Sequence, residues 1–195
     1  MTISLLEKPP EQDLLKNNIT WQQFQEIKAV FEHISYVKLY YYQGTLEIVT
    51  ISKLHEVIKS MIALLLGQYF LLKQIEFFPS GSYTQKIENI VECEADLSYC
   101  FETDKETPDL VIEIAITSGG KGKLTKYQLL NVPEVWIWQN NNITIYQLTD
   151  KGKNKHYTQV LKSGFLPELN LELLQRCVLM SSKLAAITEF NQAIL

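Results

Sequence analysis

The chain reads as an α/β protein, a central mixed β-sheet flanked by helices, and three observations lead there. The run Asp-Leu-Val-Ile-Glu-Ile-Ala-Ile (109–116) is almost continuously apolar, as strands covered on both faces are. From Ser52 to about Lys73, Leu54, Val57, Ile58, Met61, Ile62, Leu65 and Leu66 recur at three- and four-residue steps, the period of a helix with one buried face. Helical and extended segments also alternate along the chain, starting helix, strand, strand, helix, strand. That order favours helices packed on a sheet over an all-α or all-β fold.

Residues 1–19, with Glu7, Pro9, Pro10, Glu11 and Asp13, read as a weakly ordered lead-in, and 20–195 as one domain. Thr20 caps an amphipathic helix carrying Trp21, Phe24, Ile27, Ala29 and Val30. Residues 37–42 and 45–50 flank Gln43-Gly44 and predict a β-hairpin, with Gly44 supplying the positive φ of its turn. After the long helix, strands are expected near 75–78, 81–87, 95–101 and 109–116. A polar loop, 102–108, joins the last two. Beyond the Gly-rich segment 117–122 come a short helix near 124–130 and strands at 135–138, 143–146 and 156–160. Helices near 170–177 and 180–193 close the chain, and no internal repeat or linker divides it.

The 195 residues suffice for one domain with a real core, and 46% hydrophobic with 21% charged residues is an ordinary globular balance. A membrane span needs ~20 apolar residues. The longest candidate, Met61 to Leu72, is interrupted by Gly67 and Gln68, so no membrane association is expected. No apolar signal-peptide core precedes the domain, which points to a cytoplasmic protein. Cys93, Cys100 and Cys177 are odd in number and irregularly spaced, as reduced, buried thiols are. A net charge of −4 argues against a nonspecific nucleic-acid coat protein but leaves room for a nuclease with a local basic patch. The lysine clusters 121, 123, 126 and 151, 153, 155 are dense enough to form one.

The chemistry concentrates between Glu94 and Tyr127. Asp96 opens Asp-Leu-Ser-Tyr-Cys-Phe, and Glu113 interrupts the apolar run, where a buried charge needs a cation or hydrogen bonds to compensate it. Mg²⁺ takes oxygen ligands and usually one or two protein carboxylates. Neighbouring strands run ~4.8 Å apart, so both side chains can reach one ion if their strands are adjacent. The alternative is that Glu113 faces solvent on an exposed strand. Lys123, Lys121 and Lys126 follow the Gly-rich segment, and each is a candidate to orient an attacking water or neutralise a phosphate in its transition state. A nucleotide P-loop is not present, because Ser118-Gly-Gly-Lys-Gly122 lacks the required frame. Its glycines suit a close backbone approach beside Glu113. His55, one turn into the long helix, can face a phosphate or a metal-bound water, whereas His33 and His156 have no carboxylate or Cys companions at useful sequence spacing. Neither Ser98 nor Ser118 has the setting of a hydrolase nucleophile. Tyr40, Tyr41, Tyr42, Trp136 and Trp138 read as core or interface residues.

These segments resemble the Uma2 family of restriction-endonuclease-like proteins over roughly residues 20–176. The motifs that carry the likeness are Glu-Ala-Asp-Leu-Ser-Tyr-Cys (94–100), Pro-Asp-Leu-Val-Ile-Glu-Ile (108–114), Thr-Ser-Gly-Gly (117–120), Lys-Leu-Thr-Lys-Tyr (123–127) and Val-Pro-Glu-Val-Trp-Ile-Trp (132–138). The resemblance implies a PD-(D/E)XK nuclease core, with Asp96 and Glu113 as its two acidic positions. The lysine slot two residues after the acid is filled by Ala115, and the resemblance moves that lysine to Lys123, four residues before Tyr127. His55 matches a histidine usual on the family's first core helix. Ala95 stands where a proline is usual, and Gly119 where many members carry an acid.

The implied activity is Mg²⁺-dependent hydrolysis of DNA by a homodimer, with Mn²⁺ as a substitute ion. Asp96, Glu113 and the Ile114 carbonyl would hold the metal, while Lys123 and His55 assist. A non-enzymatic dimeric scaffold that keeps the nuclease fold is the alternative. A transposon-associated or toxin-like enzyme with a narrow target is a third reading.

Overall fold

The computed structural model describes residues 13–116, 120–151 and 154–195. Two sheets, rather than the single sheet expected, are built from eleven strands among these residues. The first five-stranded sheet is antiparallel and ordered β1-β3-β2-β6-β5, from β1 (Asp13–Lys16), β2 (Val37–Tyr42), β3 (Thr45–Thr50), β5 (Thr84–Ile87) and β6 (Val91–Glu94). The second, six-stranded sheet is mixed and ordered β11-β10-β9-β8-β7-β4. Its strands are β4 (Phe77–Pro79), β7 (Leu97–Phe101), β8 (Leu110–Ala115), β9 (Glu134–Gln139), β10 (Asn142–Lys151) and β11 (Asn154–Val160). Among the described strands only β8 and β9 run parallel, and every side chain of β8 is buried, as the two-sided apolar run required.

The chain crosses from one sheet to the other at Ala95-Asp96, the two residues between β6 and β7. Asp96 therefore precedes its strand rather than opening it. Asp13–Lys16, assigned from sequence to the lead-in, forms an edge strand whose side chains are all exposed. The rest of the lead-in, 1–12, lies outside the described residues.

Among the described residues five helices cover the sheets: α1 (Trp21–Phe31), α2 (Lys53–Leu72), α3 (Gly120–Leu129), α4 (Leu171–Leu179) and α5 (Lys183–Ile194). Thr20 caps α1 in a full capping box with Gln23, and Ser52 caps α2 through the His55 N–H. By length and composition α2 could cross a membrane. Here it is a core helix, with Ile58, Ile62, Leu65, Leu66 and Phe70 packed against the six-stranded sheet and the closing helices. Gly44 takes φ +85° in the β2–β3 turn, as the hairpin reading required, and Gln43 is left-handed beside it.

Three apolar clusters result. One joins α2, α4 and α5 to the six-stranded sheet through Ile112, Ile114, Trp136 and Trp138. Another packs α1 on the hairpin through Phe24, Tyr41 and Leu46. The third brings Tyr127 of α3 and Leu130 just after it together with Tyr40, Val49 and Cys93 of one sheet and Val111, Val135 and Ile137 of the other. The site lies beside this third cluster. All three cysteines are buried and free.

Two further carboxylates serve the frame. Glu134, within the 132–138 motif, is buried and accepts from Trp136 Nε1 (2.7 Å), Ser163 Oγ (2.6 Å), the Gly164 N–H (2.8 Å) and Gln147 Nε2 (3.0 Å). It ties the 163–166 turn to β9 and β10. Asp109, just before β8, accepts from the Phe101 N–H at 2.8 Å and from Lys105 at 2.6 Å, closing the loop between β7 and β8.

Candidate active site

β7 and β8 are antiparallel with Leu97 opposite Ile112, and one further step of that register sets Asp96 opposite Glu113. Leu97 and Ile112 enter the α2 core, so the next residues on each segment turn to the other face. Both carboxylates are enclosed there: Glu113 is 0% exposed and Asp96 1%. The solvent-facing alternative for Glu113 is thereby excluded.

Each acid is held by a cation. Lys123 Nζ, from α3, lies 2.5 Å from Glu113 Oε2 and 3.3 Å from the Tyr40 hydroxyl. The Tyr127 hydroxyl, one helical turn after Lys123, donates to Glu113 Oε1. Asp96 Oδ2 accepts from the Ile114 N–H at 2.8 Å and lies 3.2 Å from His55 Nε2. Its other oxygen, Oδ1, accepts from Lys38 Nζ at 2.8 Å. The spacing of Lys123 and Tyr127, four residues apart, puts both on one face of α3.

These contacts separate the two carboxyls electrostatically. Burial pushes Asp96 upward, but the His55 hydrogen bond and the Lys38 and Lys123 cations outweigh it and hold the group well below the usual carboxylate range. Glu113 is raised, because complete burial and the nearby Asp96 charge exceed the relief from Lys123 and Lys38. Burial lowers Lys123, yet Glu113 and its surroundings drive that ammonium well above its ordinary value. Lys38 is also raised, by Asp96 and Glu113 against burial.

Of the residues nominated from sequence, Asp96, Glu113, Lys123 and His55 are thus gathered in one cluster. Ile114 joins through its N–H. Lys126 borders the cluster, paired with Glu47 of β3 and 4.7 Å above the Tyr40 ring. The Lys121 side chain, Thr117, Ser118 and Gly119 lie outside what is described. Gly122 belongs to α3, and a Cβ there would meet open space, so this glycine marks no close approach to Glu113.

Lys38 and Tyr40 went unrecognised as site residues. They occupy alternate positions of β2, and both are buried on the face that meets α3 and Asp96. The available signal was Val-Lys-Leu-Tyr-Tyr-Tyr (37–42), in which Lys38 shares a face with two tyrosines and so cannot be a solvent-side lysine.

A divalent ion is implied by the resemblance, and the donor set suits a hard one. Two carboxylates face each other, which matches the one or two that Mg²⁺ takes from protein while water and phosphate complete its shell. Among the described residues no group of three or more His, Cys, Asp or Glu is placed to hold a metal. A zinc-type cage of protein ligands is therefore not formed by them.

No curated protein matches the chain. The family model described as "Uma2: Putative restriction endonuclease" matches residues 21–179, from the start of α1 to the end of α4. That span contains both sheets except the edge strand β1, together with both carboxylates and the cations on them. The chain belongs to the Uma2 family.

Proposed function

We propose that the chain is a Mg²⁺-dependent endonuclease that hydrolyses DNA phosphodiester bonds at the Asp96–Glu113 pair. The observation that carries this reading is the convergence of the two acids with the Lys123 ammonium, 2.5 Å from Glu113. When bound, Mg²⁺ would supply Lewis acidity toward a phosphoryl oxygen and acidify a water.

The protein's own groups divide the remaining work. Asp96 and Glu113 would hold the ion, with the Ile114 carbonyl as a further oxygen donor. Asp96 is ionised throughout the neutral range, whereas burial and the Asp96 charge raise the Glu113 carboxyl above its ordinary value. Lys123 orients the attacking water and neutralises charge gathering on the phosphate. His55, with Nε2 3.2 Å from Asp96 Oδ2, orients that carboxylate. Tyr127 fixes the second oxygen of Glu113. The setting proposed is a cytoplasmic homodimer, in which two sites address the two strands of a duplex.

A second reading is favoured by one specific feature, the enclosure of the site. Two carboxylates and two ammoniums neutralise each other out of contact with solvent, which also suits a non-catalytic dimeric scaffold that retains the nuclease fold. Incubation of supercoiled and linear duplex DNA with Mg²⁺ or Mn²⁺ separates the two. The nuclease reading expects cleavage that disappears with EDTA and in Glu113→Gln. No cleavage of either DNA form by folded wild-type protein would leave the scaffold.

A further inference from the structure

Lys38 has no part in the reaction just described, yet it holds the oxygen that matters most to metal binding. Asp96 Oδ2 is already engaged by the Ile114 N–H and by His55. Oδ1 is the oxygen left for an ion shared with Glu113, and Lys38 Nζ sits on it at 2.8 Å, also reaching the Ala95 carbonyl at 3.1 Å. An ammonium and a divalent cation on one carboxylate oxygen repel each other strongly in a buried setting.

The ammonium has a second place to go. Glu94 Oε1 is 3.6 Å from the same nitrogen, on a side chain 37% exposed. β2 and β6 pair only at Tyr41–Glu92 and Tyr42–Val91. Towards Val37 and Glu94 a cleft of about 270 Å³ opens, lined among others by Lys38, Glu32, Glu92 and Glu94. Glu92 is occupied by Lys28 and Gln25, which leaves Glu94 as the second carboxylate in ion-pair reach of Lys38. Lysine's flexible stem and rotatable donors suit such an exchange between two neighbouring acids.

On the basis of the metal role proposed above for Asp96 and Glu113, we infer that Lys38 is a two-position counter-ion. It occupies Asp96 Oδ1 when no divalent cation is bound and turns to Glu94 when one arrives. Lys38 then sets metal affinity without being a ligand, and Glu94 acts on the metal only through Lys38.

Calorimetric titration of Mn²⁺ into the full chain tests this, using wild type, Lys38→Met, Glu94→Gln, the double variant and Glu113→Gln. Lys38→Met is expected to bind Mn²⁺ on the order of tenfold tighter, since a like charge is removed at close range. Glu94→Gln, exposed enough to carry little folding risk, is expected to bind roughly threefold weaker, because the exposed berth for the ammonium is gone. In the double variant the Glu94 effect should vanish. Unchanged or weaker binding in folded Lys38→Met would overturn the inference. So would an unchanged Glu94→Gln, or a Glu94 effect that persists without Lys38. If wild type binds no Mn²⁺, or binding survives Glu113→Gln, the metal reading itself fails. If binding is lost in Glu113→Gln but Lys38→Met and Glu94→Gln match wild type, only the counter-ion is refuted.

Discussion

Asp96 Oδ2 accepts a hydrogen bond from the backbone N–H of Ile114, 2.8 Å away, so the first site acid is anchored by the residue that follows the second. The Asp96 carboxylate is thus positioned by the strand that carries Glu113, while Glu113 itself is held by Lys123 and Tyr127 of α3. Several consequences can be measured.

Asp96→Asn removes the charge that Lys38 neutralises in a buried place. Leaving one member of a buried pair uncompensated costs about 3 kcal/mol or more. Urea denaturation at neutral pH should show that loss. In wild type the Asp96 carboxyl is held well below its usual value of 3.8, so its contribution is present above that value and is lost as pH falls through the lower folded one. The Asp96→Asn variant should therefore lose less stability than wild type across that acid range.

Glu113 behaves in the opposite sense. Its carboxyl is raised above 4.5 by burial and by Asp96. Folding favours its protonated form, and its ionisation subtracts stability as pH rises from 4.5 through the folded value. Mn²⁺ binding should weaken as pH falls through that raised value, while Asp96 is still charged. Titrating the Glu113 carboxyl carbon by NMR, alongside Mn²⁺ affinity, checks that the two midpoints coincide.

Tyr127→Phe deletes the hydroxyl donor to Glu113 Oε1 and keeps the ring, which is 1% exposed. A hydrogen bond to a charged group is worth about 1.5–3 kcal/mol, and a loss in that range is expected in urea denaturation. The NMR midpoint of Glu113 should move further up, since its ionised form loses a partner. A stability equal to wild type would show that this contact is not made.

Glu134 lies in a family motif but is spent on the frame. Glu134→Ala strips the acceptor from Trp136, Ser163, Gly164 and Gln147 together, at a cost of about 3 kcal/mol or more. Mn²⁺ affinity of the folded fraction should stay at the wild-type value. A selective loss of metal binding in this variant would instead link Glu134 to the site.

What the sequence made legible follows local pattern. The α2 helix was readable because Ser52 and the apolar steps from Leu54 to Leu66 are contained in one segment. Asp96 and Glu113 stood out because an acid within an apolar run conflicts with its neighbours, and the structure resolves that conflict with Lys38 and Lys123. The pairing of Lys38 with Asp96 was not legible, because the two are 58 residues apart and their meeting depends on how the two sheets join. Strand β6 shows strand-like alternation in Val91-Glu92-Cys93-Glu94 over only four residues, too short to stand out, and one of its acids, Glu92, is buried against Lys28 of α1. Four exposed residues of β1 carry no burial pattern, and only pairing with β3 makes them a strand.

Anomalous diffraction from a crystal soaked in Mn²⁺ bears most directly on the role of the acid pair. The expected result is a peak bonded to carboxylate oxygens of both Asp96 and Glu113, with Lys123 retained beside Glu113. A map with Mn²⁺ bound only elsewhere, and Lys38 and Lys123 still seated on undisturbed carboxylates, would contradict it.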